Sequence, residues 1–157
     1  MSDRVVAHQG AACWATLFTH AHYLPCLAVL LQSMRACQTR YPLVVMLTET
    51  VDARTRERLA RMGCVLRDVD AWRVPHADGS LAFERFQNVW TKLRAFELYE
   101  YERVVMIDSD MLMCHNMDEL FDLPLERGMI AAAFACTCNP KQIPTYPAEW
   151  TPRCLLY

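Results

Sequence analysis

Glycine is scarce in this chain, at four residues among 157. No glycine-rich fingerprint follows the first expected strand, which argues against a dinucleotide fold of the NAD type. No sign of charge predominates. Sixteen Lys and Arg against eighteen Asp and Glu leave a formal net charge of −2, which gives no electrostatic footprint for nucleic acid. There is also no long apolar run. Leu24 to Leu31 contains Pro25 and is far too short to span a bilayer. Met1-Ser2-Asp3-Arg4 is followed by no long apolar region, so no secretory signal is evident. Internal repeats and low-complexity segments are lacking as well. These absences favour a cytoplasmic protein with neither nucleic acid nor membrane as partner. The eight cysteines are spread through apolar segments and read as reduced core thiols, not a disulfide framework.

A hydrophobic content of 54% with 10% aromatics is that of a folded globule of one domain. Residues 1–10 read as a short tail. Ala11 to Thr19 reads as a first strand. Leu24, Leu27, Ala28, Leu31 and Met34 follow helical spacing to about Gln38. Leu43 to Leu47 is a second buried strand. Asp52 suits the N-cap of a charged helix to Arg61, with Gly63 at its stop position; Arg54 to Arg61 reads as its solvated face. Cys64 to Val69 is a third strand, residues 71–87 a loop or short lid, and Thr91 to Tyr101 helical. Arg103 to Ile107 is a fourth strand, Asn116 to Leu123 a short helical turn, and Met129 to Ala135 a fifth strand. This alternation predicts a mostly parallel α/β sheet with right-handed crossovers. From Cys136 to Tyr157 the periodicity fails, and the chain reads as the front part of something longer.

The chemistry gathers at one strand end. Val104-Val105-Met106-Ile107 is an apolar run that suits a strand buried on both faces. It ends abruptly in Asp108-Ser109-Asp110. In open α/β sheets ligands bind just outside the carboxyl ends of the strands, and two such carboxylates suit Mg²⁺ or Mn²⁺ carrying a phosphate-bearing substrate. Lys92 falls in the first turn of the helix before this strand, where the dipole disfavours a cation and a nearby anion would be its natural partner. Arg85 could serve the same phosphate by forked hydrogen bonds. At the end of the first strand, Thr16 to His20 with Tyr23 form a junction where a nucleotide base could stack.

Other readings of the same residues are open. The acids alone could be solvated groups capping a turn. A haloacid-dehalogenase-type phosphatase also places Asp-x-Asp after a buried strand, though near its N-terminus and followed by glycine, where this chain has Met111. Cys136, Cys138 and Cys154 number one short of a tetrahedral zinc site and lack the usual spacing. His115 reads as exposed.

Taken in order, several stretches resemble glycosyltransferase family 8, the glycogenin and galactinol-synthase group. They are Ala15-Thr16-Leu17 with Tyr23, Tyr41 to Met46, Thr91-Lys92-Leu93-Arg94, Tyr101 to Asp110, and Asn116 to Leu123. Cys136 to Pro140 and Tyr146 to Trp150 look most like its galactinol-synthase-like branch. The resemblance implies a GT-A type, Rossmann-like fold, with residues 11–157 as the donor-binding part of one glycosyltransferase domain, truncated at its C-terminus. It also implies a retaining hexosyltransferase that uses UDP-glucose or UDP-galactose with Mn²⁺ (or Mg²⁺). Asp108 and Asp110 would ligate the metal, and the backbone of Ser109 would lie near the ribose or uracil. Leu17, Thr19 and Tyr23 would line the uridine site, and Lys92 would approach the donor's phosphate or sugar; Arg85 sits seven residues before Lys92 where the family's spacing is nine. His20 departs from the asparagine that glycogenin carries. The family's distal metal-ligating histidine and most of the acceptor site would fall beyond residue 157. The acceptor is therefore open between inositol, a glycan and a protein, as is a homodimer. The alternative is a catalytically incomplete nucleotide-sugar or protein-binding module derived from such an enzyme.

Overall fold

The computed structural model describes residues 12–72, 89–126, 128–133, 137–144 and 146–150. They fall into two compact units that divide between Leu123 and Pro124. The first unit carries a four-stranded, fully parallel sheet. Its elements are β1 (Ala12–Phe18), α1 (Leu24–Ala36), β2 (Leu43–Leu47), α2 (Ala53–Arg61), β3 (Val65–Asp68) and β4 (Arg103–Met106). A 3₁₀ turn (Ala21–Tyr23) precedes α1, and 3₁₀ helices span Val89–Glu97 and Asp118–Asp122. The spatial order is β3-β2-β1-β4, so the strand leading to the acids lies directly beside the first. Thr16 stands opposite Val45 and Ala12 opposite Arg103.

Side chains alternate along a strand, and β1 divides its residues accordingly. Trp14 and Phe18 join Leu27, Leu30, Met34 and Leu59 of α1 and α2 in the larger core. Cys13 and Ala15 join Val44, Met46 and Leu98 on the other face. Both central strands are almost wholly buried. Helix α1 buries Leu24, Leu27, Leu30, Leu31 and Met34, so Leu30 takes the core place that the spacing gave to the half-buried Ala28.

The helix ends obey local chemistry. The Asp52 carboxylate accepts the Thr55 amide at 2.9 Å and the Thr55 hydroxyl at 2.8 Å. These two bonds, the amide's first, hold the carboxyl below its usual range. Gly63 closes α2 at φ +85°, with its amide donating to Ala60 and that of Cys64 to Leu59, as a left-handed cap requires. Helix α1 ends the same way without glycine. Gln38 sits at φ +55°, its amide donating to Arg35 and that of Thr39 to Met34.

Several expectations need correction. Val104, Val105 and Met106 are only half-buried, because β4 has one partner strand among the described residues. Residues 129–133 form no strand, and 134 and 135 lie outside the described residues. Helical character after Val89 takes the tighter 3₁₀ form and stops at Glu97. The α2 face is not solvated throughout. Arg56 folds inward, donating to Val51 O at 2.8 Å and Thr48 O at 2.9 Å and pairing with Asp68. Cys13 and Cys64 are core thiols, whereas Cys26 and Cys114 are exposed. Burial, with the Glu100 charge second, pushes the Cys13 thiol up to about 12; burial, slightly offset by Arg35, pushes Cys64 up to about 11. Neither thiol is a nucleophile at neutral pH. Among the described residues no helix is long and apolar enough to cross a membrane.

Candidate functional site

The carboxyl ends of β1 and β4 meet side by side. The Ile107 amide continues the ladder to Ala15 O at 2.9 Å, and the next residue is Asp108. There the chain turns: the Met111 amide donates to Asp108 O at 3.2 Å, which places Ser109 and Asp110 at the centre of a four-residue turn. Asp108 and Ser109 are half-buried and Asp110 is exposed.

Lys92 lies on the 3₁₀ helix Val89–Glu97 and reaches across to this turn. Its Nζ is 2.5 Å from Asp108 Oδ1, with the two side chains 40% and 41% exposed. The anion that the helix position calls for is thus supplied from within the chain. The lysine's helix is tied to the exit of β3 as well. The buried Thr91 hydroxyl accepts the Trp72 amide at 3.0 Å, Arg94 Nε donates to Asp70 O at 3.1 Å, and its guanidinium lies 5.4 Å from the centre of the Trp72 ring.

At the end of β1, Leu17 is half-buried and Thr19 is buried. The Thr19 hydroxyl lies 2.8 Å from His20 Nδ1, and its carbonyl accepts the Thr50 hydroxyl at 2.6 Å. His20, His22 and Tyr23 form an exposed aromatic row, with ring centres 5.3 Å and 4.1 Å apart. Arg85, Cys136 and Cys154 lie outside the described residues. His115 is exposed, as expected, and Cys138 is half-buried.

Sequence reasoning missed the clamp that fixes the chain beyond the acids. The Ser33 hydroxyl donates to Leu30 O at 2.7 Å and accepts the Met113 amide at 3.0 Å. Asn116 donates to Cys37 O at 3.0 Å and to Gln38 O at 3.2 Å. Asp118, only 4% exposed, accepts the Arg40 amide at 2.9 Å, the Thr39 hydroxyl and, at 3.4 Å, Arg40 Nε. Burial alone would raise its carboxyl. The bonds from Thr39, from Arg40 and from Asn116 outweigh it and hold the group below its usual range. The available signal was Asn116, whose side chain accepts the Asp118 amide at 2.8 Å in an Asx turn.

A separate cavity of about 370 Å³ at the ends of β2 and β3 is lined by Arg56, Arg67, Arg94, Asp68, Asp70 and Glu97, among others. Its three arginines are already paired, with Asp68, Glu100 and Glu97, so it is a self-neutralised cleft. Among the described residues no three His, Cys, Asp or Glu side chains gather to hold an ion alone. Two carboxylates nonetheless fit Mg²⁺ or Mn²⁺ chemically. Mg²⁺ characteristically keeps waters and takes one or two carboxylates plus substrate phosphates, and Mn²⁺ favours the same hard oxygens.

The family model for glycosyl transferase family 8 matches residues 15–147. Galactinol synthase 2 of Solanum lycopersicum is 30% identical over 127 residues, covering 80% of this chain and 37% of its own length. Galactinol synthase 5 of Arabidopsis thaliana is 30% identical over 140 residues, covering 88% and 41%. Galactinol synthase 2 of Ajuga reptans is 33% identical over 110 residues, covering 70% and 37%. The chain spans about two fifths of the length of the curated relatives it matches.

Proposed function

The chain belongs to glycosyl transferase family 8, and on that premise we propose that it is the donor-binding part of a retaining hexosyltransferase. Residues 11–157 take a UDP-sugar, UDP-glucose or UDP-galactose, with Asp108 and Asp110 holding Mn²⁺ or Mg²⁺ at the donor's diphosphate. The observation that carries this reading is the turn at Asp108-Ser109-Asp110, set at the end of β4 beside the end of β1. When bound, the metal supplies Lewis-acid neutralisation of charge on the departing diphosphate. Leu17, Thr19 and Tyr23 line the uridine, the Ser109 backbone meets the ribose or uracil, Lys92 meets the donor's phosphate or sugar, and Arg85 serves the same phosphate. The acceptor is inositol, a glycan or a protein. Thiols at Cys13 and Cys64 suit a reducing, cytoplasmic setting. Family membership sets the phosphatase reading aside.

Calorimetry with UDP in the presence of Mn²⁺ tests this. The wild-type chain is expected to bind, chelation of the metal to abolish binding, and Asp110→Asn to weaken it by about tenfold or more, the scale of losses at metal sites. Equal binding by both proteins, or none by wild type, would sink the assignment. A second reading is a non-catalytic nucleotide-sugar or protein-binding module. It is favoured by a donor set that stops at two carboxylates among the described residues. Release of free hexose from the UDP-sugar by the purified chain would rule it out.

A further inference from the structure

The Asp108 carboxylate has two claimants. One is the Lys92 ammonium, 2.5 Å away; the other is the divalent cation of the function proposed above, on which this inference rests. We propose that Lys92 is a placeholder cation: it guards Asp108 and, once displaced, turns its charge to the donor's diphosphate.

The geometry fits an exchangeable contact. The pair is a charge-assisted contact, yet both side chains are about two-fifths exposed, where solvent and salt screen ion pairs until little net energy remains. A fully buried pair would lock the site, whereas a half-exposed one yields to a doubly charged ion. Lysine suits the task better than arginine would, being a compact point charge on a flexible four-carbon stem with three rotatable donors. The partnership is also one-sided. Lys92 pairs with Asp108, while Asp110 has no ion-pair partner among the described residues. Among the described residues, Asp110 is therefore the carboxylate that Lys92 leaves available for a first encounter with the metal. The displaced ammonium stays tethered beside the turn, on a helix fixed through Thr91 and Arg94.

The exchange predicts effects of opposite sign at one residue. A lysine that only binds phosphate would leave the affinity for bare metal unchanged, and one that only supports the fold would weaken every affinity. For Lys92→Met, the affinity for Mn²⁺ alone, read from the electron paramagnetic resonance signal of free Mn²⁺, is expected to rise about three- to fivefold. The affinity for UDP at saturating Mn²⁺, read by calorimetry, is expected to fall about tenfold. Lys92→Arg, which keeps the charge, is expected to restore wild-type affinity for Mn²⁺ alone. Circular dichroism checks that each variant is folded. An unchanged or lowered Mn²⁺ affinity in Lys92→Met, with Mn²⁺-dependent UDP binding intact in wild type, would overturn the placeholder role and leave the donor site standing. Absence of Mn²⁺ binding in wild type would overturn both.

Discussion

Trp14→Ala is expected to destabilise the chain by about 4 kcal/mol, within the range for removing a buried aromatic from a core. Trp14 is 1% exposed at the centre of β1. Its ring meets Phe121 edge-on, with centres 5.1 Å apart and planes at 85°, an arrangement worth about 1 kcal/mol beyond the area it buries. Its indole N–H donates to the Thr39 hydroxyl at 2.9 Å. Truncation therefore opens a cavity beside α1, strips an aromatic pair and leaves the Thr39 hydroxyl one donor short. Urea unfolding followed by circular dichroism measures the loss. Trp14→Phe keeps most of the packing and forfeits the hydrogen bond, so it is expected to cost about 1.5 kcal/mol. A loss under 1 kcal/mol in Trp14→Ala would mean that the site collapses around the smaller side chain, contrary to this account.

The second large effect lies at the far end of the same chain of bonds. Asp118→Ala is expected to cost about 3 kcal/mol, because the Thr39 hydroxyl and the Arg40 amide lose a buried charged acceptor. The Arg40 guanidinium adds little, since that side chain is 71% exposed and well screened. The carboxyl is held below its usual range in the folded chain. The folded state therefore keeps it ionised at pH values where the unfolded chain, with a carboxyl near pH 4, has begun to bind a proton. Its contribution is complete above about pH 5 and drains away as the pH falls through 4 towards the lowered folded value. Urea midpoints for wild type and Asp118→Asn between pH 7 and pH 3 are expected to converge as the pH drops. A constant gap would show that the charge of Asp118 plays no part. Because Trp14 and Asp118 both bond Thr39, the double variant should cost less than the sum of the two.

Much of this architecture was legible in the residues. β2, the α2 cap at Asp52 and the stop at Gly63 follow from periodicity and local chemistry, which a single sequence displays directly. The acids at a strand end and the need of Lys92 for an anion were legible too. The identity of that anion was not, since nothing local says that a helix residue reaches a strand end sixteen positions later. The partners of Asn116 and Asp118 were unreadable for the same reason: Cys37 and Arg40 lie nearly eighty positions upstream. Gln38 adopts a conformation usually left to glycine, and its cap bonds depend on a helix end that sequence reading placed two residues too far along. That β4 has one partner strand among the described residues followed from topology alone, and an apolar run cannot announce how many neighbours it will have.

The placing of β4 also has a consequence in time. β1, β2 and β3 are joined in sequence by single helices, so each pairing closes a short loop. β4 returns to β1 only after a long excursion, and its clamp joins the Met113 amide to Ser33 across 80 residues. Closure entropy rises with the logarithm of that length, and contacts so distant in sequence form slowly. The turn that carries the acids is therefore expected to be the last piece of the sheet to fold and the first to open. Amide exchange at Ile107 and Met113 should outpace that at Val44 and Val45, even though Ile107 and Met113 are buried. The chain is thus expected to assemble its scaffold first and its chemistry afterwards.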